Sequence, residues 1–481
     1  MRSSTPWNEN RPAMIRAFIS CAILLGTTFG FAAAQDFRTN VLLIVTDDAG
    51  YADFGCYGGK EIPTPHIDSL ARDGVKFTQA YVSASVCCPS RAGILTGRYQ
   101  QRFGHEFNGP SQPQPGFTKD DMGLAPDEIT IGEAFRKEGY RTFAVGKWHM
   151  GLAPQFHPRK QGFDEFYGFL GGSRSYFSVE KKNINPGWVM HLNEFTVPES
   201  SITYLTDDLT DATTEFINET FPYPWMIYLS FNAVHTPMHA KEADLQQFSD
   251  IESKARRSYA AMTKTLDDAV GRILAELKEQ GIERNTLVML VNDNGGATNN
   301  SSDNGPYRGR KGSKWEGGIR VPLLMRWPGH LPAGATYDRP VSALDLLPTA
   351  LAAIEARPST YPRNLDGVNL LPYLRNEKAG SPHELLFWRR GVAAAVRKGP
   401  WKLIRIEGEP VALVNLDDDP GERTNRLADR PEIVSELMST LSLWEKELSP
   451  PKWVEGDRWR KNQIYKHQWD VQTREQELKF P

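Results

Sequence analysis

Cysteine is scarce in this chain: four in 481 residues, at positions 21, 56, 87 and 88. If Cys21 leaves with an N-terminal leader, three remain, an odd count that excludes a closed disulfide framework. Adjacent Cys87 and Cys88 cannot bridge each other without strain. Cys56 and Cys88 are then either a pair or free thiols, and the sequence does not choose between them. Net charge is also small, at -3, which gives no footing for nucleic-acid binding. With 40% hydrophobic and 24% charged residues, the composition excludes general disorder. There is no internal repeat and no low-complexity tract. Beyond residue 31 no apolar run is long enough to form a stable membrane span. No clustered Cys/His set argues for zinc.

What is present begins with an export signal. Arg2, Arg11 and Arg16 precede an apolar stretch over 17–31, and Ala32, Ala33 and Ala34 offer a cleavage site before Gln35. Residues 1–34 therefore read as a signal peptide, and the mature chain is expected in the periplasm or outside the cell. A start at Met14 would make the signal more compact. A membrane anchor is the alternative, but ~15 apolar residues are short for a span.

Continuous apolar, β-branched runs at 41–46, 140–145, 225–231, 286–291 and 321–327 predict buried strands. Helical spacing appears at 65–72, 129–137, 255–280 and 343–354. This alternation predicts an α/β fold: a large mixed, mostly parallel sheet covered by helices on both faces. Residues 102–127 read as a surface loop, and the aromatic stretch 162–169 as an insertion lining a pocket rather than a core element. From 381 the texture changes to short strands at 384–389, 392–397, 401–406 and 411–416, then a helix at 430–448. We therefore expect an α/β domain over 35–380. A subdomain over 381–481 should form a small antiparallel sheet with a closing helix.

The polar residues gather just after the strands: Asp47 and Asp48, Lys147 and His149, His235, Asp293 and Asn294. Open α/β sheets bind ligands outside the carboxyl ends of their strands, so paired carboxylates there suggest a cation site. Between the first two strands lies Val86-Cys87-Cys88-Pro89-Ser90-Arg91. Pro89 suits a first helical turn, which puts Cys87 at a helix N-terminus, where free N–H groups favour negative charge. Arg91 lies one turn further on and can point back at the same spot. A polarised sulfur or oxygen beside a fixed cation is a plausible nucleophile.

The pattern Cys87-x-Pro89-Ser90-Arg91-x-x-x-Leu95-Thr96-Gly97-Arg98 resembles the signature of the type I, formylglycine-dependent sulfatases of the alkaline phosphatase-like superfamily. The likeness extends over most of the mature chain and resembles bacterial carbohydrate and aryl sulfatases. It implies that Cys87 is oxidised to formylglycine by a formylglycine-generating enzyme, the chain's partner during maturation. It further implies a divalent cation, usually Ca2+ with Mg2+ as the alternative, held by Asp47, Asp48, Asp293, Asn294 and the modified Cys87. Oxygen donors suit such hard ions. Three Asp against a 2+ ion leave about one excess negative charge, which Arg91, Lys147 and Lys311 would overcome while drawing in an anionic ester.

The same resemblance assigns roles. One hydroxyl of the hydrated aldehyde attacks sulfur, with Asp293 orienting or deprotonating it. The cation, Lys147 and Lys311 stabilise the sulfuryl oxygens. His235 protonates the leaving alcohol, His149 takes a proton from the second hydroxyl so that sulfate is released, and Arg91 holds the modified side chain. Spacing to Glu316-Gly317-Gly318 favours Lys311 over Lys314, which is read as a neighbour or an exposed charge. The tail from Leu413 to Glu422, followed by Asn425, is also similar to the family's, departing at Asn415 where Asp is usual. For chemistry a plain turn before a helix suffices there.

The expected substrate is a sulfated oligo- or polysaccharide, with Arg174, Tyr176, His239 and Trp315 near the mouth for stacking and anion recognition. One competing reading is a phosphate-ester hydrolase of the same superfamily, but those usually carry Thr or Ser nucleophiles and two Zn2+ ions. Another is a non-catalytic polysaccharide-binding protein in which Cys87 stays unmodified.

Overall fold

A computed structural model describes residues 38–109, 116–180, 182 and 184–468. The expected signal peptide lies outside the described residues. The strands of the large sheet are β1 (Asn40–Thr46), β2 (Val75–Phe77), β4 (Arg141–Lys147), β5 (Glu165–Phe169), β6 (Met190–Leu192), β7 (Phe195–Thr196), β8 (Trp225–Ser230), β9 (Thr286–Asn292), β10 (Leu323–Arg326) and β11 (Ala335–Tyr337). The short β3 (Ala80–Tyr81) pairs apart from it with β12 (Val341–Ser342). The large sheet runs β11-β2-β10-β9-β1-β8-β4-β5-β6-β7. Its centre, from β9 to β5, is parallel, and β10, β6 and β7 run antiparallel to their neighbours.

β1 is buried along its whole length because both faces are covered. Val41, Leu43 and Val45 face one core and Leu42 and Ile44 the other, as the two-residue period of a strand requires. The first core takes side chains from α1 (Cys87–Thr96), α2 (Ile131–Lys137) and α3 (Leu346–Ala353). Leu205 and Leu209 of the helix Leu205–Thr220, and Met262 and Leu266 of the helix Lys254–Glu279, fill the second. The predicted layering is therefore present. Register aligns the strand ends: Val45 sits beside Ser230 and Val291, and Thr46 beside Asn292. The loops that follow are thus delivered to one edge.

Two sequence readings fail here. Residues 165–169 are not a pocket insertion but strand β5, paired with β4, and Phe163, Phe166 and Phe169 are core residues. The aromatic texture reads as an insertion, yet these rings pack into the core and Gly168 permits close strand approach: a Cβ on it would lie 2.0 Å from the Gly146 carbonyl. Residues 102–127 are not all surface either, since Phe103, His105, Glu106, Phe107, Met122 and Leu124 are buried. The long helix Leu205–Thr220 has no counterpart in the sequence reading. Its threonines and acids obscure the spacing of Leu205, Leu209, Ala212 and Phe216.

The C-terminal sheet is the expected antiparallel one, β13 (Leu385–Arg390), β14 (Ala393–Lys398), β15 (Trp401–Ile406) and β16 (Ala412–Asn415). It is closed by the helix Pro431–Glu445 through Leu437, Leu441 and Trp444. Its other face, with Trp388, Ala395 and Ile404, merges into the large core. A further helix, Asp457–His467, lies beyond the predicted closing helix. Cys56, Cys87 and Cys88 are all free thiols, and no described helix is long and apolar enough to cross a membrane.

Candidate active site

Helix α1 starts at Cys87, after an extended Val86, and every residue in it is buried. The start matches the expectation from Pro89. Cys87 Sγ faces Asp47 Oδ1 at 3.7 Å. Lys147, the last residue of β4, places Nζ 2.5 Å from Asp47 Oδ2. Lys311 arrives from the opposite side, with Nζ 2.7 Å and 2.8 Å from the two Asp48 oxygens. Asn294 Nδ2 donates to Asp48 Oδ1 at 2.7 Å, and His235 Nε2 lies 3.5 Å from Asp48 Oδ2. His235 Nδ1 donates to the Thr236 carbonyl at 2.6 Å, which leaves Nε2 as the atom directed at the site.

Beside the unmodified Cys87 thiol, Arg91 is engaged with Asp293 and Ser230. Its Nε and Nη2 bond Asp293 Oδ2 at 2.9 Å and 2.8 Å, and Nη1 bonds Ser230 Oγ. Nη1 also reaches the Lys147 carbonyl at 3.5 Å, and these oxygens are stronger acceptors than the Cys87 sulfur. Asp293 is thereby fixed, with its other oxygen 3.4 Å from the Asp48 N–H.

Supporting residues emerge that sequence reasoning passed over. Asn292 accepts from the Ala49 N–H at 3.1 Å and donates to the Ala49 carbonyl at 2.8 Å, locking the turn after Asp48. Asn300 donates to the carbonyls of Asp48 and Val234, at 2.9 Å and 3.1 Å, and so ties the loops after β1 and β8 together. Position at a strand end could have flagged Asn292; Asn300 lies in a Gly-, Asn- and Ser-rich loop with no distinguishing signal. Asp48 and His149 both adopt φ 60. The His149 ring lies against Gly172, where a Cβ would come within 2.6 Å of it.

Burial and charge set the protonation states. Burial resists ionisation of Asp48, but Lys311 and His235 outweigh it and hold the carboxyl well below its usual range. Burial keeps Asp47 above the usual range despite Lys147. Burial and the neighbouring Asp47 push Asp293 up to about 6. For the Cys87 thiol, Lys147 and Lys311 overcome burial and bring it down to about 7. Burial, then Lys147, holds His149 well below its ordinary value and therefore neutral. Burial and Lys311 oppose charge on His235, while Asp47 and Asp48 favour it, and the balance is upward.

The donor set fits an oxygen-bound cation. Asp47, Asp48, Cys87 and His235 each present a ligand atom within 4.8 Å of the others. Asn294 Oδ1 is buried and accepts no hydrogen bond, an orphaned acceptor that a cation would satisfy. His235 Nε2, brought in by the loop after β8, lies beside Asp48 but outside the set of oxygen donors.

Three of the four expected substrate contacts are internal instead. Arg174 is fully buried, donating to the carbonyls of Ser175 and Trp188 and to Glu199. Tyr176 is fully buried, with its hydroxyl on the Asn232 and His235 carbonyls. Trp315 is buried beneath the Arg308 guanidinium, 4.1 Å from its ring centroid. A guanidinium, a phenol and an indole each bring large apolar area with a polar end, and the interior supplies partners for them. His239 alone of the four is partly exposed, beside Phe177. Lys314 is not an exposed charge: it is fully buried, donating to Ser85 Oγ at 3.1 Å.

The tail motif holds the Lys311 loop. Lys402 of β15 bridges Glu316 at 2.7 Å and Glu422 at 2.6 Å, all three buried, and Glu422 also accepts the Glu316 N–H. From the helix Asp457–His467, Lys466 donates to the Lys311 carbonyl at 2.6 Å and His467 accepts the Lys314 N–H at 2.7 Å.

This fold and site define a sulfuric ester hydrolase, and the chain belongs to the sulfatase family, whose profile matches residues 39–356. The profile of the N-sulphoglucosamine sulphohydrolase C-terminal region matches 310–447. Among its relatives, rat steryl-sulfatase (Rattus norvegicus) is 33% identical, over 72% of this chain and 72% of its own. Rat N-acetylgalactosamine-6-sulfatase is 32% identical, over 77% and 72%. The crystal structure of Ps i-CgsB superposes with a TM-score of 0.81 at 35% identity, covering 87% of this chain and 95% of that one. A phosphonate monoester hydrolase of Agrobacterium radiobacter, 21% identical with a TM-score of 0.60, shares the fold.

Proposed function

We propose that the protein is an exported sulfatase that hydrolyses sulfate esters on a carbohydrate, using a formylglycine made from Cys87 and one oxygen-ligated divalent cation. The observation that carries this reading is the setting of Cys87: a buried helix N-terminus facing Asp47, flanked by Lys147 and Lys311. Formylglycine supplies the nucleophilic hydroxyl and the cation supplies positive charge for the sulfuryl oxygens. Asp47, Asp48, Asp293, Asn294 and residue 87 would hold the cation, Ca2+ before Mg2+.

The chain's own residues do the rest. Lys147 and Lys311 bind the sulfuryl oxygens as they gain charge. His235 holds a proton at Nε2 for the leaving oxygen, its Nδ1 being committed to Thr236. Neutral His149 is in the state a proton acceptor needs. Arg91 fixes Asp293. Cys87 is only 2% exposed, so the formylglycine-generating enzyme acts before the chain closes. Export rests on residues 1–34.

A carbohydrate substrate is supported by the crystal structure of Ps i-CgsB in complex with k-i-k-neocarrahexaose, 35% identical to this chain, and by the N-acetylgalactosamine-6-sulfatases. The test is mass spectrometry of tryptic peptide 77–91 from a host with a formylglycine-generating system, paired with sulfate-release assays. An aldehyde at residue 87, with sulfate released from carrageenan oligosaccharides or N-acetylgalactosamine 6-sulfate, is the expected result. An intact thiol with no sulfate release would overturn the mechanism. Release from a steryl sulfate alone would overturn the carbohydrate assignment, and phosphate-ester turnover alone would favour the phosphatase reading.

A further inference from the structure

The loop that carries His235 is closed on itself by one backbone bond, from the His235 N–H to the Asn232 carbonyl at 2.8 Å. A single side chain then caps both ends of that turn. Tyr176 Oη lies 2.6 Å from the Asn232 carbonyl and 2.9 Å from the His235 carbonyl, sharing its proton between them. The phenol is fully buried and stacks on Tyr204, with ring centroids 5.6 Å apart. Tyr204 in turn donates to the His239 carbonyl at 3.0 Å, so the next turn of the same loop is held as well.

The segment bearing Tyr176 is itself locked. Arg174 ties it to Ser175, Trp188 and Glu199, and the Tyr176 carbonyl accepts the Leu205 N–H at 2.7 Å, at the start of the helix 205–220. A rigid aromatic lever thus runs from that helix to the backbone of His235. The imidazole adds one more constraint through Nδ1 and the Thr236 carbonyl. Between those ends, Val234 is held by the Asp47 carbonyl and by Asn300. With the two ends of the turn held by Tyr176 and Nδ1 committed to Thr236, Nε2 has one direction left to point.

We propose that Tyr176 is a positioning residue for proton delivery by His235: its hydroxyl fixes the 232–235 turn so that Nε2 is aimed at the leaving oxygen. This rests on the reading of His235 as the proton donor. When the S–O bond breaks, its electron pair goes to the departing oxygen, which takes the proton from Nε2. An activated phenol leaves without that help, whereas a poor leaving group needs it. Loss of aim therefore costs rate in proportion to leaving-group basicity, an effect that general loosening of the fold would not produce.

The test uses the full chain, matured in a formylglycine-generating host, and Tyr176→Phe, which removes only the hydroxyl. Rates are measured on substituted phenyl sulfates from 4-nitrophenyl to 4-methoxyphenyl, with His235→Ala alongside. Tyr176→Phe should stay within about threefold of wild type on 4-nitrophenyl sulfate and fall roughly tenfold or more on the 4-methoxyphenyl ester. His235→Ala should show the same trend more steeply. If His235→Ala falls equally on both esters, the proton-donor reading fails; if it discriminates and Tyr176→Phe does not, the Tyr176 proposal fails. A crystal structure of Tyr176→Phe needs no turnover: a displaced or multiply oriented His235 ring is expected, and an unmoved ring would overturn the proposal.

Discussion

Lys402 and Glu422 form a buried ion pair at 2.6 Å, and the same ammonium reaches Glu316 at 2.7 Å. Lys402 lies in the C-terminal sheet and Glu316 opens the short helix that follows the Lys311 loop. A cation between two buried carboxylates cannot be removed alone. Lys402→Met is expected to destabilise the protein by about 3–5 kcal/mol in urea unfolding, because it strands buried charge. A loss under about 1 kcal/mol would show that Arg320, 3.3 Å from Glu316, carries the balance instead.

Lys314 makes a prediction about pH. Burial, then Arg390, brings its ammonium from an ordinary 10.5 down to about 7. Above about 7 the folded chain has shed that proton while the unfolded chain keeps it. Stability contributed by this site therefore rises with pH from about 7 toward 10.5, by at most about 1.4 kcal/mol per pH unit. Lys314→Met should flatten that slope in denaturation curves taken at several pH values. An unchanged slope would place the titration elsewhere.

Lys147→Ala separates binding from catalysis. If Nζ serves charge that develops on the sulfuryl oxygens, kcat should fall about 10²- to 10³-fold with a much smaller change in KM. Steady-state kinetics on any ester the wild type hydrolyses will decide. A rise in KM with kcat intact would assign Lys147 to ground-state binding only.

Chelation gives the fourth prediction. Removing a divalent cation should abolish sulfate release and lower the thermal midpoint, with Ca2+ restoring both. A ligand present at 100 times its Kd contributes about 2.7 kcal/mol of stability, well within reach of calorimetry. Restoration by Zn2+ but not by Ca2+ would contradict the oxygen-rich donor set.

How much of this was legible in the sequence depended on whether a residue's task is local. The strand-end residues Asp47, Asp48, Lys147, His235 and Asp293 could be read because a buried parallel strand writes itself as an apolar run, and its end is then obvious. Pro89 likewise announced the helix start at Cys87. Arg174, Tyr176 and Trp315 read as mouth residues by their chemistry, yet all three are buried: Arg174 on Trp188 and Glu199, Tyr176 on Asn232 and His235, and Trp315 beneath Arg308. Nothing in the local pattern of a Tyr says which carbonyl its hydroxyl will find. Glu422 shows the same limit: a turn motif reads as a turn, and its bond to Glu316 spans 106 residues. Strand β5 reads as an aromatic, irregular stretch, and nothing local shows that its rings fill the core and that Gly168 serves close packing against β4.

The grip of Lys466 and His467 on the Lys311 loop bears on the order in which the protein is made. Chains fold as they emerge, N-terminal parts first. The Asp47 side of the site can assemble once β9 has formed, whereas the seat of Lys311 waits for residues 402, 422, 466 and 467 to leave the ribosome. The seat of Lys311 is thus the last part to be set. A nascent chain stopped short of residues 457–467 would hold Asp47 and Asp293 already paired with Lys147 and Arg91, but leave Asp48 without a firmly seated ammonium opposite it.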